Sequence, residues 1–226
     1  MKRIVIILAA AVLLAGCRQV PSAIQYKLVP ELDGLGCIRI GASFDEVSDS
    51  IDSSYTANKE ILSRKHIRRS EMFRKDKLPY VRTPEKYTSD YSCYEATVFV
   101  SEDLVIEKAD LFFWKDTLHR IWISNSNHCA KDVGEALIWK YGSGEGYYRK
   151  SSASENQLHL WGNEFCVAKY QGDITYVLGG NGMAKGVDKW FHEVDIRLNR
   201  HGIEDRISDY LHKADSIWKS EAFDDL

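Results

Sequence analysis

The chain reads LHLWGNEFCVAKYQGDITYVL over residues 158–178. Gly162-Asn163 and Gly172-Asp173 each provide the glycine that a two-residue type II′ turn needs at its first position. If both turns form, six apolar side chains share one face of three antiparallel strands, and slipping either turn by one residue would scatter them. We therefore predict a three-stranded meander whose core face carries Leu158, Leu160, Phe165, Val167, Tyr176 and Leu178.

A second group of strands precedes this one, at residues 97–100, 109–114 and 118–123, which are rich in branched and aromatic residues. Lys115, Asp116 and Thr117 form the predicted connection of the last two strands. A three-residue loop puts Leu111, Phe113, Ile121 and Ile123 on one face, and Phe112, Trp114 and Trp122 on the other. Either a helix covers the second face, which we favour, or Trp114 and Trp122, together with Trp161, present an aromatic ligand surface to carbohydrate.

Amphipathic helices accompany the strands. Ser43 and Glu46 form a capping box before a helix with Val47 and Ile51 inward. A second helix is predicted over 132–141, ended by Gly142 as an αL cap. A C-terminal helix carries Ile203, Ile207, Leu211, Ala214 and Trp218 at helical spacing. We predict an α+β fold in which antiparallel sheets of hairpins and meanders carry helices on one face, arranged as a single domain over 35–226 or as two helix-plus-sheet units meeting near 126–130.

The first residues have the pattern of an export signal. Lys2 and Arg3 precede an apolar stretch over 4–14, which as a helix rises only about 16 Å, short of the roughly 30 Å hydrocarbon core. Leu14-Ala15-Gly16-Cys17 resembles the lipobox of bacterial lipoproteins. The resemblance implies a lipid on Cys17, removal of residues 1–16, and a tether over 17–34.

Composition limits the function classes. Hydrophobic residues make up 44% of the chain and charged residues 28%, typical of a folded domain. The net charge of −3 gives no attraction to nucleic acid, so we expect no nucleic-acid partner. We predict no cofactor and no metal site.

Four cysteines remain after Cys17, and disulfides can form in a protein that is exported from the cytoplasm. Cys37, Cys93, Cys129 and Cys166 either form one or two disulfides or stay as buried thiols. The predicted turns also place His159 opposite Cys166. Such a pair suggests a cysteine nucleophile or a metal ligand set, but no oxyanion-donating turn accompanies it. We favour cross-strand packing or a disulfide and assign no catalytic residue.

Residues 58–77 are basic, with eight lysines and arginines against three acids. They form either a solvated helix face, which we favour, or a patch for an anionic partner such as lipid head groups.

Two further resemblances bear on function. Ile38-Arg39-Ile40-Gly41-Ala42-Ser43 with Glu46-Val47 resembles the start of small outer-membrane assembly lipoproteins and of beta-lactamase-inhibitor-like modules, which implies a binding or assembly role. Asp49-Ser50-Ile51, Asp116-Thr117-Leu118 and Asp215-Ser216-Ile217 resemble O-glycosylation sites of Bacteroidota envelope proteins.

In that lineage, exported surface lipoproteins carry acidic residues after the lipidated cysteine, whereas Arg18 follows here. We therefore expect an outer-membrane lipoprotein that faces the periplasm and binds an envelope protein without catalysis. The alternatives are an accessory protein that binds carbohydrate or another envelope ligand, and a cysteine-dependent enzyme.

Overall fold

The computed structural model describes residues 25–61, 73–76, 81–124, 129–150, 154–178 and 187–224. Within these residues the chain has a mixed α+β fold, with three α-helices, one large and mostly antiparallel sheet, and a separate two-stranded hairpin. The predicted class is confirmed at this level.

The helices are α1 (Phe44–Ala57), α2 (Ala130–Tyr141) and α3 (Glu204–Asp224), with a 3-10 helix at Glu85–Tyr87. The first strands are β1 (Lys27–Leu28), β2 (Gly34–Leu35), β3 (Ile38–Arg39), β4 (Phe73–Asp76), β5 (Tyr91–Phe99), β6 (Val105–Trp114) and β7 (Thr117–Ile123). The remaining strands are β8 (Glu145–Lys150), β9 (Ser154–Gly162), β10 (Cys166–Leu178) and β11 (Val187–Arg200).

Two segments of the chain build the large sheet in the same way. In each, a helix comes before four successive antiparallel strands: α1 before β4 to β7, and α2 before β8 to β11. The last strands of the two segments pair antiparallel, with Ile123 opposite Ile196. The sheet is therefore continuous, with β4 at one edge, while at the other end β8 and β1 both pair with β9, at different positions along it.

The helix signals in the sequence correspond closely to the observed helices. Ser43 and Glu46 form the predicted capping box, with the Ser43 amide donating to the Glu46 carboxylate at 2.8 Å. Val47 and Ile51 are buried as expected. Gly142 ends α2 with φ 72° but ψ 179°, so it is not the predicted αL cap.

Helices cover both faces of the sheet. On the face that we call inner, α1 and α2 contribute Val47, Ile51, Val133 and Leu137 to a core shared with Leu111 and Phe113. On the opposite, outer face, Ile203, just before α3, and Ile207 of α3 pack against Phe112 and Trp114. Because successive residues of a strand point to opposite faces, Phe112 and Phe113 belong to different cores. The prediction of helices on one face only is thus not confirmed.

The hairpin of β6 and β7 has the predicted faces with a different loop. Lys115 and Asp116 form a two-residue turn, with φ 48° and 62°, instead of the expected three-residue loop. A β-bulge between Phe112 and Phe113 then restores the predicted pairing of Leu111 with Ile121. Leu111, Phe113, Ile121 and Ile123 consequently lie in the inner core as predicted.

The predicted turns of residues 158–178 are wrong. β10 continues straight through Gly172-Asp173, which pair with Gln157 and Asn156 of β9. β9 and β10 are joined by a longer turn, in which the Asn163 amide donates to the Cys166 carbonyl at 3.0 Å. Neither Gly162 nor Gly172 has the positive φ that a type II′ turn requires.

The face that we predicted as the core is the outer one. The longer turn shifts the pairing of β9 and β10 by four residues, so Leu158, Leu160 and Val167 still share a face, but the core lies on the other. The inner face carries Gln157, His159, Trp161, Cys166, Ala168 and Tyr170, all buried. Leu158, Leu160 and Val167 are only half-buried on the outer face, and Phe165 is 37% exposed in the turn. The side chains of Tyr176 and Leu178 are not among those that the structure describes.

Asn163 explains the longer turn. Its side-chain oxygen accepts hydrogen bonds from the amides of Phe165 and Cys166 at 2.8 and 2.9 Å. Its side-chain nitrogen lies 3.2, 3.1 and 2.7 Å from the carbonyl oxygens of Val29, Pro30 and Leu32. One buried amide thus organises the turn and fastens the incoming segment to it.

We predict that Asn163→Ala lowers the free energy of unfolding by about 3 kcal/mol, because it leaves several buried backbone groups without partners. Asn58→Ala is the control, since Asn58 makes one side-chain bond, to the Ser54 carbonyl, and should cost about 1 kcal/mol or less. Urea unfolding followed by tryptophan fluorescence measures both. Equal losses would contradict the role of Asn163.

Candidate functional site

The structure separates His159 from Cys166. Tyr170 lies opposite His159, while Cys166 begins β10 and lies opposite Arg200. The His159 ring stacks between Trp161 and Tyr170, with ring centroids 5.5 and 6.0 Å away. The predicted cross-strand pairing of His159 and Cys166 is therefore wrong, because it depended on the two-residue turn.

The chemistry of these two side chains is that of packed core groups. The Cys166 thiol donates to the Leu32 carbonyl at 3.2 Å, and burial raises its pKa to about 11. Burial also lowers the pKa of His159. A thiol that stays protonated at neutral pH is a poor nucleophile, so nothing in this arrangement supports a cysteine-dependent enzyme.

The three tryptophans proposed as a ligand surface are not exposed together. Trp114 is buried under α3, with its ring 4.6 Å from that of Tyr210. Trp161 is 0% exposed, and its indole nitrogen donates to the Gly142 carbonyl at 2.8 Å. Trp122 is half-buried, with the Arg197 guanidinium 5.1 Å from its ring centroid. They do not form the aromatic surface that the sequence suggested.

The cysteines at positions 37, 93, 129 and 166 are thiols in the structure. Cys93 and Cys166 are buried, whereas Cys37 and Cys129 are half-buried.

The largest part of the basic stretch over 58–77 lies outside the described residues, so its predicted anionic partner stays a prediction. Two of its cations, Arg74 and Lys75, are described on β4. Arg74 pairs with Glu95 at 3.0 Å, and Lys75 pairs with Glu85.

Lys75 lines a cavity of about 510 Å³, which we call the Arg82 pocket. Small-molecule sites are typically clefts of roughly 300 to 1,000 Å³ with a few polar groups among apolar ones. The pocket lies where β4 and β5 meet the 3-10 helix. Its lining residues are Lys75, Val81, Arg82, Thr83, Pro84, Glu85, Thr88, Tyr91, Ser92 and Cys93.

The charges of the pocket leave one cation without a counterion. The carboxylate of Glu85 is engaged by Lys75. Across the part of the chain that the structure describes, the exposed Arg82 has no ion pair. A guanidinium presents several donors in a plane, which suits a carboxylate or phosphate.

Hydroxyl groups accompany this cation. Thr88 is 0% exposed, and its hydroxyl makes no hydrogen bond to the protein. Burial raises the pKa of Tyr91 to about 12, so Tyr91 keeps its proton at neutral pH. Thr83, by contrast, donates to Asp215 of α3 at 3.4 Å. The pocket therefore offers one exposed cation to a ligand, whereas the hydroxyl of Thr88 is closed to solvent.

Sequence reasoning missed this pocket. Residues 81–88 supply much of its lining, but they contain only a proline-bounded segment without periodicity. The sequence feature that could have indicated it is the short segment before β5 that carries Arg82, Thr83 and Thr88.

The described ranges contain neither a cluster of metal ligands nor a helix that could span a membrane. No group of three His, Cys, Asp or Glu side chains among those residues could hold a metal ion. None of the described helices is long and apolar enough to cross a membrane.

His119 is the most strongly perturbed histidine of the outer core. It is 2% exposed, with its ring centroid 5.7 Å from that of Tyr91 and 6.4 Å from that of Phe112. Burial, with smaller contributions from Arg120 and Arg200, lowers the pKa of His119 from 6.5 to about 3. His119 is thus neutral in the folded protein.

We predict that His119 makes the fold sensitive to acid. Below pH 6.5 the unfolded chain binds a proton at His119, whereas the folded chain does not bind it until about pH 3. The free energy of unfolding therefore decreases as the pH is lowered through that window. Relative to His119→Phe, the wild type should lose about 2 kcal/mol between roughly pH 7 and pH 5. Denaturant unfolding at each pH measures this, and parallel pH profiles for the two proteins would contradict it.

Comparison with known proteins assigns no family to the chain: no family model, curated protein or solved structure matches it.

Proposed function

We propose that the protein is a lipid-anchored envelope protein that binds a small anionic ligand in the Arg82 pocket without catalysing a reaction. The anchor is the lipid on Cys17, supported by Leu14-Ala15-Gly16-Cys17 and the short apolar stretch before it. With Arg18 after the cysteine, the proposed location is the outer membrane, with the domain in the periplasm.

We predict that Cys17→Ser abolishes lipid attachment in a Gram-negative host, because the thiol that carries the diacylglycerol is gone. The readouts are incorporation of labelled palmitate and recovery in the membrane fraction. Cys37→Ser is the control and should remain labelled, since it leaves Cys17 intact. A labelled Cys17→Ser protein, or an unlabelled wild type, would overturn the proposed anchor.

The observation that carries ligand binding is Arg82, which lines a pocket of about 510 Å³ and has no ion pair among the described residues. A ligand that carries one negative group, such as an acidic sugar or a sugar phosphate, matches the guanidinium of Arg82.

We predict that glucuronate or glucose 6-phosphate binds to the full chain in calorimetry and that glucose binds more weakly, since only the first two carry a charge for Arg82. Arg82→Ala should weaken anion binding by about ten-fold or more, and Arg82→Lys by less, because lysine keeps the charge without the planar donors. Arg74→Ala is the matched control on β4, as Arg74 does not line the pocket. It should leave the affinity unchanged.

The same titrations distinguish the two kinds of anion. Tighter binding of glucuronate would indicate a carboxylate ligand, and tighter binding of glucose 6-phosphate would indicate a phosphate ligand. Absence of binding by either anion, or equal losses in Arg82→Ala and Arg74→Ala, would contradict the proposal.

A second candidate function is assembly with another protein, as the resemblance to assembly lipoproteins implies. The observation that favours it is the exposed surface of the second helix-and-strand segment. Trp139 of α2 is 90% exposed, and Tyr147 and Tyr148 of β8 are 41% and 55% exposed. Large exposed aromatic side chains of this kind are enriched at protein interfaces. The proposed division of the domain into two helix-plus-sheet units places this surface and the pocket in different units.

A further inference from the structure

β8 is an edge strand that presents its whole length to solvent. It pairs with β9, and β10 lies on the far side of β9. All six of its residues are exposed. An edge strand offers a row of backbone donors and acceptors that another strand can join, and natural proteins usually cover or interrupt such edges.

The strand is complementary to itself. A two-fold axis perpendicular to a sheet pairs two copies of an edge strand antiparallel and keeps each face continuous. Residues opposite each other must then share a face, as Glu145, Tyr147 and Arg149 do on the outer face. With Tyr147 opposite its own copy, Glu145 lies opposite Arg149 on both sides of the axis. Opposite charges in directly facing positions stabilise a strand pair.

The inner face fits the same register. Gly146 of each copy then lies opposite Tyr148 of the other copy. A side chain on Gly146 is excluded, because its Cβ would come within 2.1 Å of the Leu158 carbonyl oxygen, and the residue has φ +144°. An aromatic ring across from a strand glycine fills the gap that the glycine leaves.

Other symmetric registers match the residues less well. With Tyr148 on the axis, Arg149 faces Tyr147 and Glu145 faces a position beyond the end of β8. With Gly146 on the axis, Glu145 faces Tyr147 and Arg149 has no facing residue on the strand. Only the register centred on Tyr147 pairs both charges and covers the glycine.

We propose that β8 joins β8 of a second copy of this chain, antiparallel and centred on Tyr147, so that the two large sheets become one. The interface lies away from the Arg82 pocket and does not depend on it. A shared membrane would favour this contact, because anchored copies have a raised effective concentration.

The test is disulfide cross-linking of the full chain in intact envelopes. Tyr147→Cys places two thiols opposite each other at the axis, within the Cα separations that a disulfide tolerates. It should give a cross-linked dimer on non-reducing gels. Tyr148→Cys is the matched control, because Tyr148 faces Gly146, and it should give no more dimer than the wild type. Equal cross-linking of the two variants, or none with Tyr147→Cys, would overturn the proposal.

Charge reversal in the Tyr147→Cys background tests the register further. Glu145→Arg places arginine against arginine, and Arg149→Glu places glutamate against glutamate, so each should lower the dimer yield by about ten-fold. Co-expression of the two should restore the yield, because each strand then faces its opposite charge. Glu102→Arg makes the same charge change in the exposed loop between β5 and β6 and should have no effect. Restoration also shows that the variants fold, whereas failure to restore contradicts the register.

Discussion

The side-chain amide of Asn163 is the contact on which the second half of the fold depends. It binds two backbone amides of its own turn and three carbonyl groups of the segment 29–32. Because it fixes where β10 begins, it decides which residues of β9 and β10 lie opposite each other. Tyr170, one of the largest fully buried side chains, lies across from His159 because of this register.

The contrast between two hairpins shows how far sequence reasoning reaches. In β6 and β7 the alternation of apolar residues predicted both faces correctly. The loop is one residue shorter than expected, but a β-bulge restores the predicted pairing. In β9 and β10 the turn residues suggested the wrong register. The carbonyl groups that the Asn163 side-chain nitrogen binds lie more than 130 residues away along the chain, and no local sequence pattern predicts them. The capping box of α1 was predictable because its two partners are three residues apart.

The candidate site was harder to predict for the same reason. The residues that sequence patterns singled out are mainly core side chains. The polar atoms of Trp161 and Cys166 bond to backbone carbonyl groups, and that of His159 bonds to Gln157. The Arg82 pocket instead comes from a segment without periodicity, held against the sheet by α3 through Thr83 and Tyr87. In the first segment α3 covers the outer face, whereas in the second Leu158, Leu160 and Val167 remain half-buried and β8 is open. Ligand binding and self-association therefore belong to different ends of one sheet.

The register of β9 and β10 is the central claim, and cross-strand nuclear Overhauser effects measure it directly. In the isotope-labelled chain, backbone contacts should join His159 to Tyr170 and Trp161 to Ala168, with none between His159 and Cys166. Contacts between the backbones of His159 and Cys166 would contradict it, since they would mean that the two-residue turn forms.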